Sequence, residues 1–188
     1  MRLFVAIPLP PDVAQSAARI VPVTRSLRPV KPELLHLTLA FLGRVDDDRL
    51  ADASAAVTAA ARSGGAFDLV LDHGGRFPET GRPHTVWIGA GLGAQEAAAI
   101  GERVRVELRS RSLAYDEKPL RTHVTLARVR DDAEPVERRA VAAMVRGMSF
   151  QPLHWGVDRI VLFESVLSPN GPRYTPRAEA VLGVGGKA

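Results

Sequence analysis

Short apolar runs alternate along the chain with longer segments in which apolar residues recur three, four or seven positions apart. The short runs are typical of buried strands, and they predict strands at 3–7, 34–42, 67–71, 85–89, 122–129, 155–163 and 173–182. The helical spacing predicts amphipathic helices at 11–28, 50–61, 94–111 and 135–145, with Gly147 as the last stop. Glycine and proline predict a loop at 73–83 and a turn at 168–171. Together these elements predict an α+β protein.

The same order of elements occurs twice, which indicates an internal duplication. Each half runs strand, helix, strand, helix, strand, and its middle strand carries the sequence His-x-Thr-Leu. The halves span roughly residues 1–83 and 84–188. We therefore expect one domain made of two lobes that are related by a pseudo-twofold axis.

Composition removes several classes of function. The 188 residues contain no cysteine, which excludes a disulfide scaffold, a cysteine nucleophile and a Cys-ligated metal site. Lys and Arg number 25 against 21 Asp and Glu, and only Lys31, Lys118 and Lys187 among the 25 are lysines. The arginine excess fits an anionic ligand such as phosphate or RNA, but a GC-rich coding bias is the favoured explanation of the overall excess.

The first residues of the chain and its hydropathy are used to predict the cellular compartment of the protein. The opening MRLFVAIPLPPD has one basic residue, a short apolar run and no small-residue cleavage site, so no secretory signal is expected. No stretch approaches the ~20 apolar residues of a membrane span. A cytoplasmic location is predicted.

The two middle strands carry nearly identical motifs, HLTLA from His36 and HVTLA from His123. Side chains alternate between the faces of a strand, so each histidine shares a face with the threonine two positions later, Thr38 or Thr125. The other face is apolar and predicts a core contact. If the lobes face each other, two imidazoles and two hydroxyls meet in one cleft.

This set of side chains suits acid–base chemistry at a phosphodiester. Histidine titrates near neutral pH, so one ring can accept a proton while the other donates one, and threonine hydroxyls can bind phosphate oxygens. No third metal ligand accompanies the pair, and GxSxG, Walker A and dinucleotide-binding sequences are missing. The sequence therefore predicts neither a metal site nor a cofactor.

The chain resembles the two-histidine phosphoesterase superfamily, and within it the bacterial and archaeal RNA 2′,3′-cyclic phosphodiesterases, also called 2′-5′ RNA ligases. The resemblance lies in RLFVAIPLP, HLTLAFLGRV, FPETGRPHTVWIG, HVTLARV and VLFESVLSPNGPRYTP. It implies two antiparallel sheets that flank a central cleft, with helices outside. It also implies metal-independent opening of an RNA 2′,3′-cyclic phosphate to a 2′-phosphate, with 2′-5′ ligation as the reverse reaction.

The resemblance also implies roles for single residues. His36 would donate a proton to the departing 3′ oxygen, His123 would accept one from water, and Thr38 and Thr125 would bind the phosphate. From the residues alone the acid and the base are interchangeable. Arg128 would meet the phosphate, although strict alternation puts it on the face opposite His123. A bulge could turn it back, and a surface salt bridge is the alternative.

Other candidates have weaker grounds. Phe41 is expected in the core, with a base contact as the alternative, and Phe163 is a candidate base contact near the cleft. Arg44, Arg76 and Arg82 are interpreted as solvated charges, although they could steer RNA. No role is assigned to the remaining histidines, His73, His84 and His154.

Three functions stay open at this point. The first is hydrolysis of RNA 2′,3′-cyclic phosphate ends, with tRNA fragments among the candidate substrates. The second is a cyclic phosphodiesterase for small nucleotides or an ADP-ribose cyclic phosphate, and the third is a non-catalytic RNA-binding module. RNA is the expected partner, no membrane or obligate protein partner is expected, and a monomer is predicted.

Overall fold

The computed structural model describes residues 1–169 and 171–183. These residues form four α-helices, α1 to α4, at Pro11–Ala18, Leu50–Arg62, Ala94–Ser110 and Pro135–Arg146. They also form nine strands, β1 to β9, at Arg2–Pro8, Leu27–Pro29, His36–Arg44, Phe67–Phe77, Thr85–Ala90, His123–Val129, Leu153–Val157, Arg159–Ser168 and Gly171–Val181. The α+β class predicted from the sequence is confirmed.

Three predicted elements differ from the observed ones. The helix expected over 11–28 ends at Ala18, because Pro22 has no N–H to continue the ladder, and β2 occupies part of the rest. The segment 155–163 divides between β7 and β8. The predicted loop at 73–83 begins late, since β4 stays paired with β5 as far as Phe77.

The turn predicted at 168–171 joins β8 to β9. Ser168 Oγ donates to the Gly171 carbonyl across 2.7 Å, and Gly171 has a φ of 105°, which favours glycine. Asn170, the third residue of the predicted turn, lies outside the described residues.

All described strands belong to one curled antiparallel sheet. Its order is β7-β4-β5-β6-β3-β1-β8-β9, and β2 pairs with β6. The two sheets expected from the sequence are therefore joined, and the joint is the single pair Leu37–Val124 between β3 and β6. The motif strands lie side by side at the centre of the molecule.

The two sequence halves exchange strands in space. β4 belongs to the first half but pairs with β5 of the second, and β8 belongs to the second half but pairs with β1 of the first. Each side of the central joint is thus built from both halves. The pseudo-repeats at 1–83 and 84–188 stay a prediction about the sequence and do not coincide with the spatial lobes.

The hydrophobic core lies behind the motif strands. Leu37, Leu39 and Val124 are fully buried, as the alternation predicted. Helix α3 packs against β3, α2 against β8 and β9, and α4 against β4. In the described part of the chain no helix is long and apolar enough to cross a membrane.

One buried arginine fixes the far end of β5 and β6. Arg138 of α4 is 7% exposed, and its guanidinium donates to the carbonyls of Pro83, Arg130, Asp131 and Ala133 at 2.9–3.0 Å. These carbonyls lie just before β5 and just after β6. The contacts therefore hold together the two strands that carry Trp87 and His123.

Candidate active site

The pairing of β3 with β6 brings both motifs together on one face. Because the strands are antiparallel and Leu37 faces Val124, the register sets His36 opposite Thr125 and Thr38 opposite His123. Directly opposed Cβ atoms lie about 5 Å apart and diagonal neighbours about 7–8 Å. The two histidines are thus diagonal corners of a polar square.

Both imidazoles are held in the same way. Nδ1 of His36 donates to the Leu34 carbonyl and Nδ1 of His123 donates to the Arg121 carbonyl, each across 2.7 Å. Each acceptor lies two residues before its histidine, where the chain has not yet entered the strand. With Nδ1 so engaged, Nε2 is the nitrogen left to exchange protons in the cleft.

Burial lowers the pKa of both histidines. For His36, desolvation is the main cause, the bond to Leu34 opposes it, and the charge of His123 lowers the pKa further. For His123, desolvation is again the main cause, and the charge of Arg121 adds to it against the bond to the Arg121 carbonyl. The electrostatic coupling means that protonation of one ring disfavours protonation of the other.

Each motif strand contains a β-bulge, which returns the residue five positions after its histidine to the polar face. In β3 the register skips Leu39, and in β6 it skips Leu126, so the residue after each is also buried. Alternation then resumes in opposite phase. Arg128 consequently shares the face of His123, which answers the objection from strict alternation. Phe41 shares the face of His36 and is 51% exposed, so the expectation that it lies in the core is wrong.

An aromatic cluster surrounds His36. Phe4 lies 4.9 Å from its ring and stacks on Phe163 at 5.3 Å, while Tyr174 meets the imidazole edge-on at 5.4 Å. Burial raises the pKa of the Tyr174 phenol, and the charge of Arg128 lowers it.

A second cluster surrounds His123. Phe77 meets its ring edge-on at 4.9 Å, and Trp87 lies 6.0 Å away. The guanidinium of Arg121 lies 5.3 Å above the Phe77 ring. The Trp87 indole passes directly over Gly75, where an added Cβ would come within 2.1 Å of it. The glycine thus allows Trp87 to lie close against β4.

Two cavities open from this centre. One, of about 410 Å³, reaches His36 and is lined by Phe163, Tyr174 and the segment from Pro32 to Leu35. The other, of about 400 Å³, reaches Thr38 and His123 and is lined by Phe41, Phe77, Arg105 and residues of the loop before β6. Each histidine thus lines one of the two cavities.

A family model agrees with this geometry. The model described as the 2′-5′ RNA ligase superfamily matches residues 9–167. The chain belongs to this superfamily.

Two relatives named RNA 2′,3′-cyclic phosphodiesterase resemble this chain over most of its length. The RNA 2′,3′-cyclic phosphodiesterase of Thermus thermophilus is 35% identical and the alignment covers 93% of this chain and 87% of that protein. The protein of the same name from Escherichia coli is 29% identical, with 93% of each chain covered. The crystal structure of TT0787 from Thermus thermophilus matches with a TM-score of 0.80 at 29% identity, covering 98% of this chain and all of that one. Escherichia coli LigT complexed with 3′-AMP matches with a TM-score of 0.72 at 26% identity, covering 96% and 97%. The predicted family and fold are confirmed.

The other candidate residues from the sequence have different surroundings, and His73 packs against Trp87 of the His123 cluster. Arg44 and Arg82 are exposed, and Arg76 donates to the carbonyls of Pro78 and Gly81 and so holds the loop after β4. His73 and His154 pair with the neighbouring carboxylates of Asp72 and Asp68 at the surface. His84 is exposed as well.

Sequence reasoning missed the aromatic residues that enclose the histidines: Phe4, Phe77, Trp87 and Tyr174. All four lie inside segments that carry the superfamily resemblance, so those segments held the signal. Their contacts with the histidines depend on strand pairing and could not be derived from spacing. Among residues 1–169 and 171–183, no group of three or more His, Asp or Glu side chains is arranged to hold a metal ion.

Proposed function

We propose that this chain hydrolyses RNA 2′,3′-cyclic phosphate ends to 2′-phosphates. The observation that carries the proposal is the polar square formed by His36, Thr38, His123 and Thr125, with both Nδ1 atoms bonded to carbonyls and both Nε2 atoms left for the cleft. The names of the curated relatives, RNA 2′,3′-cyclic phosphodiesterase, support RNA as the substrate.

In the proposed mechanism the two histidines act in one displacement. Nε2 of neutral His123 takes a proton from water as the water oxygen bonds to phosphorus. The bond between phosphorus and O3′ breaks, and protonated His36 gives its proton to O3′. The product carries a 2′-phosphate and a 3′-hydroxyl, and each histidine ends in the protonation state opposite to its initial one.

Three further side chains assist by binding the phosphate. The hydroxyls of Thr38 and Thr125 donate to non-bridging oxygens, and Arg128 offsets the negative charge that develops on them. Arg128 reaches the same face because of the bulge in β6. The coupling between the histidines disfavours two charged rings, and the anionic phosphate would stabilise the single charge that the reaction needs.

The aromatic residues would hold the nucleoside. Phe163 lines the cavity beside His36 and stacks on Phe4, which supports a base contact there. Phe41 lines the other cavity, which also reaches Thr38 and His123. An RNA 5′-hydroxyl in place of water would give a 2′-5′ linkage with the same two histidines. The predicted cytoplasmic location and monomeric state stay predictions.

The test uses an oligoribonucleotide that ends in a 2′,3′-cyclic phosphate, with EDTA present. His36→Asn and His123→Asn retain a side-chain amide near the position of Nδ1 but lack Nε2. We expect a 2′-phosphate product and a loss of kcat of roughly 10²–10⁴-fold in each variant, the usual contribution of one acid or base. The exposed His84→Asn is the matched control and should retain full activity.

Other outcomes would contradict the proposal in different ways. Turnover of small cyclic nucleotides but not of the oligonucleotide would favour the small-molecule phosphodiesterase. Binding of RNA without turnover, weakened in both histidine variants, would favour the RNA-binding module. Activity abolished by EDTA and restored by a divalent cation would contradict the metal-independent mechanism.

A further inference from the structure

The cavity beside Thr38 and His123 has a basic and aromatic lining. We call it the basic cleft and define it by Phe41, Phe77, Arg105, Asp116, Lys118 and Arg121. Three of these side chains are cations and one is a carboxylate. The cavity beside His36 differs, since Glu33 is the only acidic or basic side chain besides His36 among its described lining residues. Charge is thus concentrated on one side of the reaction centre.

Hydrogen bonds fix the position of the loop that lines the basic cleft. The backbone N–H of Asp116 donates to the Phe41 carbonyl across 2.7 Å, which attaches the loop to β3. Arg105 of α3 donates to the Lys118 carbonyl across 2.7 Å. These bonds hold the loop against the strand that carries Thr38.

Neighbouring carboxylates neutralise the cations of the basic cleft only in part. Arg121 pairs with Glu79 and Lys118 lies 3.3 Å from Asp116, whose pKa is lowered chiefly by the backbone N–H of Lys118. Arg105 has no salt-bridge partner among the described residues, and its buried Nε has no hydrogen-bond partner there either. Lys118 is 84% exposed, so its pair with Asp116 is weak and its ammonium can move to a ligand.

Two aromatic rings complete the lining. The half-exposed ring of Phe41 and the ring of Phe77 both face the cavity. Exposed aromatic faces beside cations are the usual means of binding single-stranded nucleic acid, where bases stack and cations meet phosphates. A volume of about 400 Å³ lies within the range of small-ligand sites.

We infer that the basic cleft is a second nucleotide subsite, which binds an anionic RNA nucleotide next to the cyclic phosphate. The inference rests on the proposed function, because it needs the phosphate centre at the histidine pair. The base stacks on Phe41, and its phosphodiester meets Lys118 and Arg105. The subsite makes an RNA chain a better substrate than a cyclic mononucleotide.

The test compares kcat/KM for a cyclic mononucleotide and for a trinucleotide that ends in a 2′,3′-cyclic phosphate. Lys118→Glu is the main variant, and Arg139→Glu on the exposed surface of α4 is its matched control. We expect Lys118→Glu to lower kcat/KM roughly tenfold for the trinucleotide alone. The dependence of log KM on log salt should flatten by about 0.7, the value for one lost contact with single-stranded RNA.

A variant of opposite sign separates ligand binding from structural damage. Asp116→Asn removes the cleft's carboxylate and keeps an oxygen that accepts the Lys118 backbone N–H. We expect it to lower KM for the trinucleotide, whereas damage to the loop would raise KM. Phe41→Leu retains bulk without an aromatic face and should raise KM for the trinucleotide.

The nucleotide in the basic cleft could precede the cyclic phosphate or belong to an acceptor strand, and a second assay distinguishes them. A dinucleotide with a free 5′-hydroxyl is offered as acceptor. Its 5′ oxygen bonds to phosphorus, the bond to O3′ breaks, His123 takes the hydroxyl proton and His36 protonates O3′. Altered trinucleotide hydrolysis in Lys118→Glu assigns the cleft to the preceding nucleotide, the expected result. Altered acceptor KM alone would contradict this assignment and place an acceptor nucleotide in the cleft instead.

Two results would overturn the inference, and they are distinguishable. If the parent protein hydrolyses mononucleotide and trinucleotide equally, and Lys118→Glu changes neither hydrolysis nor acceptor KM, the subsite is wrong while the proposed function stands. If the parent protein hydrolyses neither substrate, the proposed function itself fails and the subsite falls with it.

Discussion

At the scale of single residues, the acid–base pair depends on two backbone carbonyls. The Leu34 and Arg121 carbonyls accept from Nδ1 and so direct Nε2 of each ring to the cleft. The same placement buries the rings and lowers the pKa of both. One ring must nevertheless be protonated for the proposed reaction, so the pH dependence should report these shifts directly.

We expect kcat/KM to follow a bell-shaped pH profile centred below the ordinary histidine pKa of about 6.5. The acidic limb reports protonation of the base and the alkaline limb reports deprotonation of the acid, and both pKa values are lowered in the free protein. The measurement is kcat/KM from pH 4.5 to 8.5 with a cyclic phosphate substrate. A profile that is flat across this range would contradict the acid–base assignment.

Arg138 carries a second prediction at this scale. Replacing it by Met removes four hydrogen bonds from a buried cation to backbone carbonyls. We expect Arg138→Met to lower the free energy of unfolding by about 3 kcal/mol, measured by urea denaturation. The adjacent and exposed Arg139→Met should change it by less than about 0.5 kcal/mol. Equal effects of the two substitutions would argue against the buried contacts.

At the scale of secondary-structure elements, Gly75 lets β4 approach the indole of Trp87. An Ala Cβ there would lie 2.1 Å from the ring, so Trp87 must shift, and it packs near His123. We expect Gly75→Ala to cost about 1–3 kcal/mol of stability and to lower kcat. The matched control is Gly156→Ala in β7, whose Cβ would meet only a carboxylate oxygen at 4.0 Å. An unchanged kcat in Gly75→Ala would show that Trp87 does not position His123.

The motif strands also mark how far sequence reasoning reaches. Alternation correctly predicted that His36 and Thr38 share one face and that Leu37 faces the core, because these positions precede the bulge. It failed for Phe41 and left Arg128 unresolved, because both follow a bulge that no residue pattern marks. The bulge depends on pairing with the neighbouring strand, so it becomes visible only when β1 and β5 are in place.

At the scale of the whole molecule, the sequence predicted a duplication but not the exchange of strands. β4 leaves its own half for β5, and β8 leaves its half for β1. Local periodicity identifies a strand without its partner, and these partners lie in the other half of the chain. The aromatic enclosure of His36 shows the consequence, since Phe4 comes from the first strand and Tyr174 from the last.

The strand exchange predicts that neither sequence half folds alone. In a fragment of residues 1–83, β4 would lack β5 and β7, and β1 would lack β8, which exposes apolar faces and unpaired strand edges. We expect fragments 1–83 and 84–188 to show no cooperative urea transition by circular dichroism, whereas the full chain shows one. A cooperative transition in either fragment would mean that its strands find partners within their own half. The duplicated sequence would then describe two independent folding units, and the cleft between the histidines would be an interface between them and not the centre of one sheet.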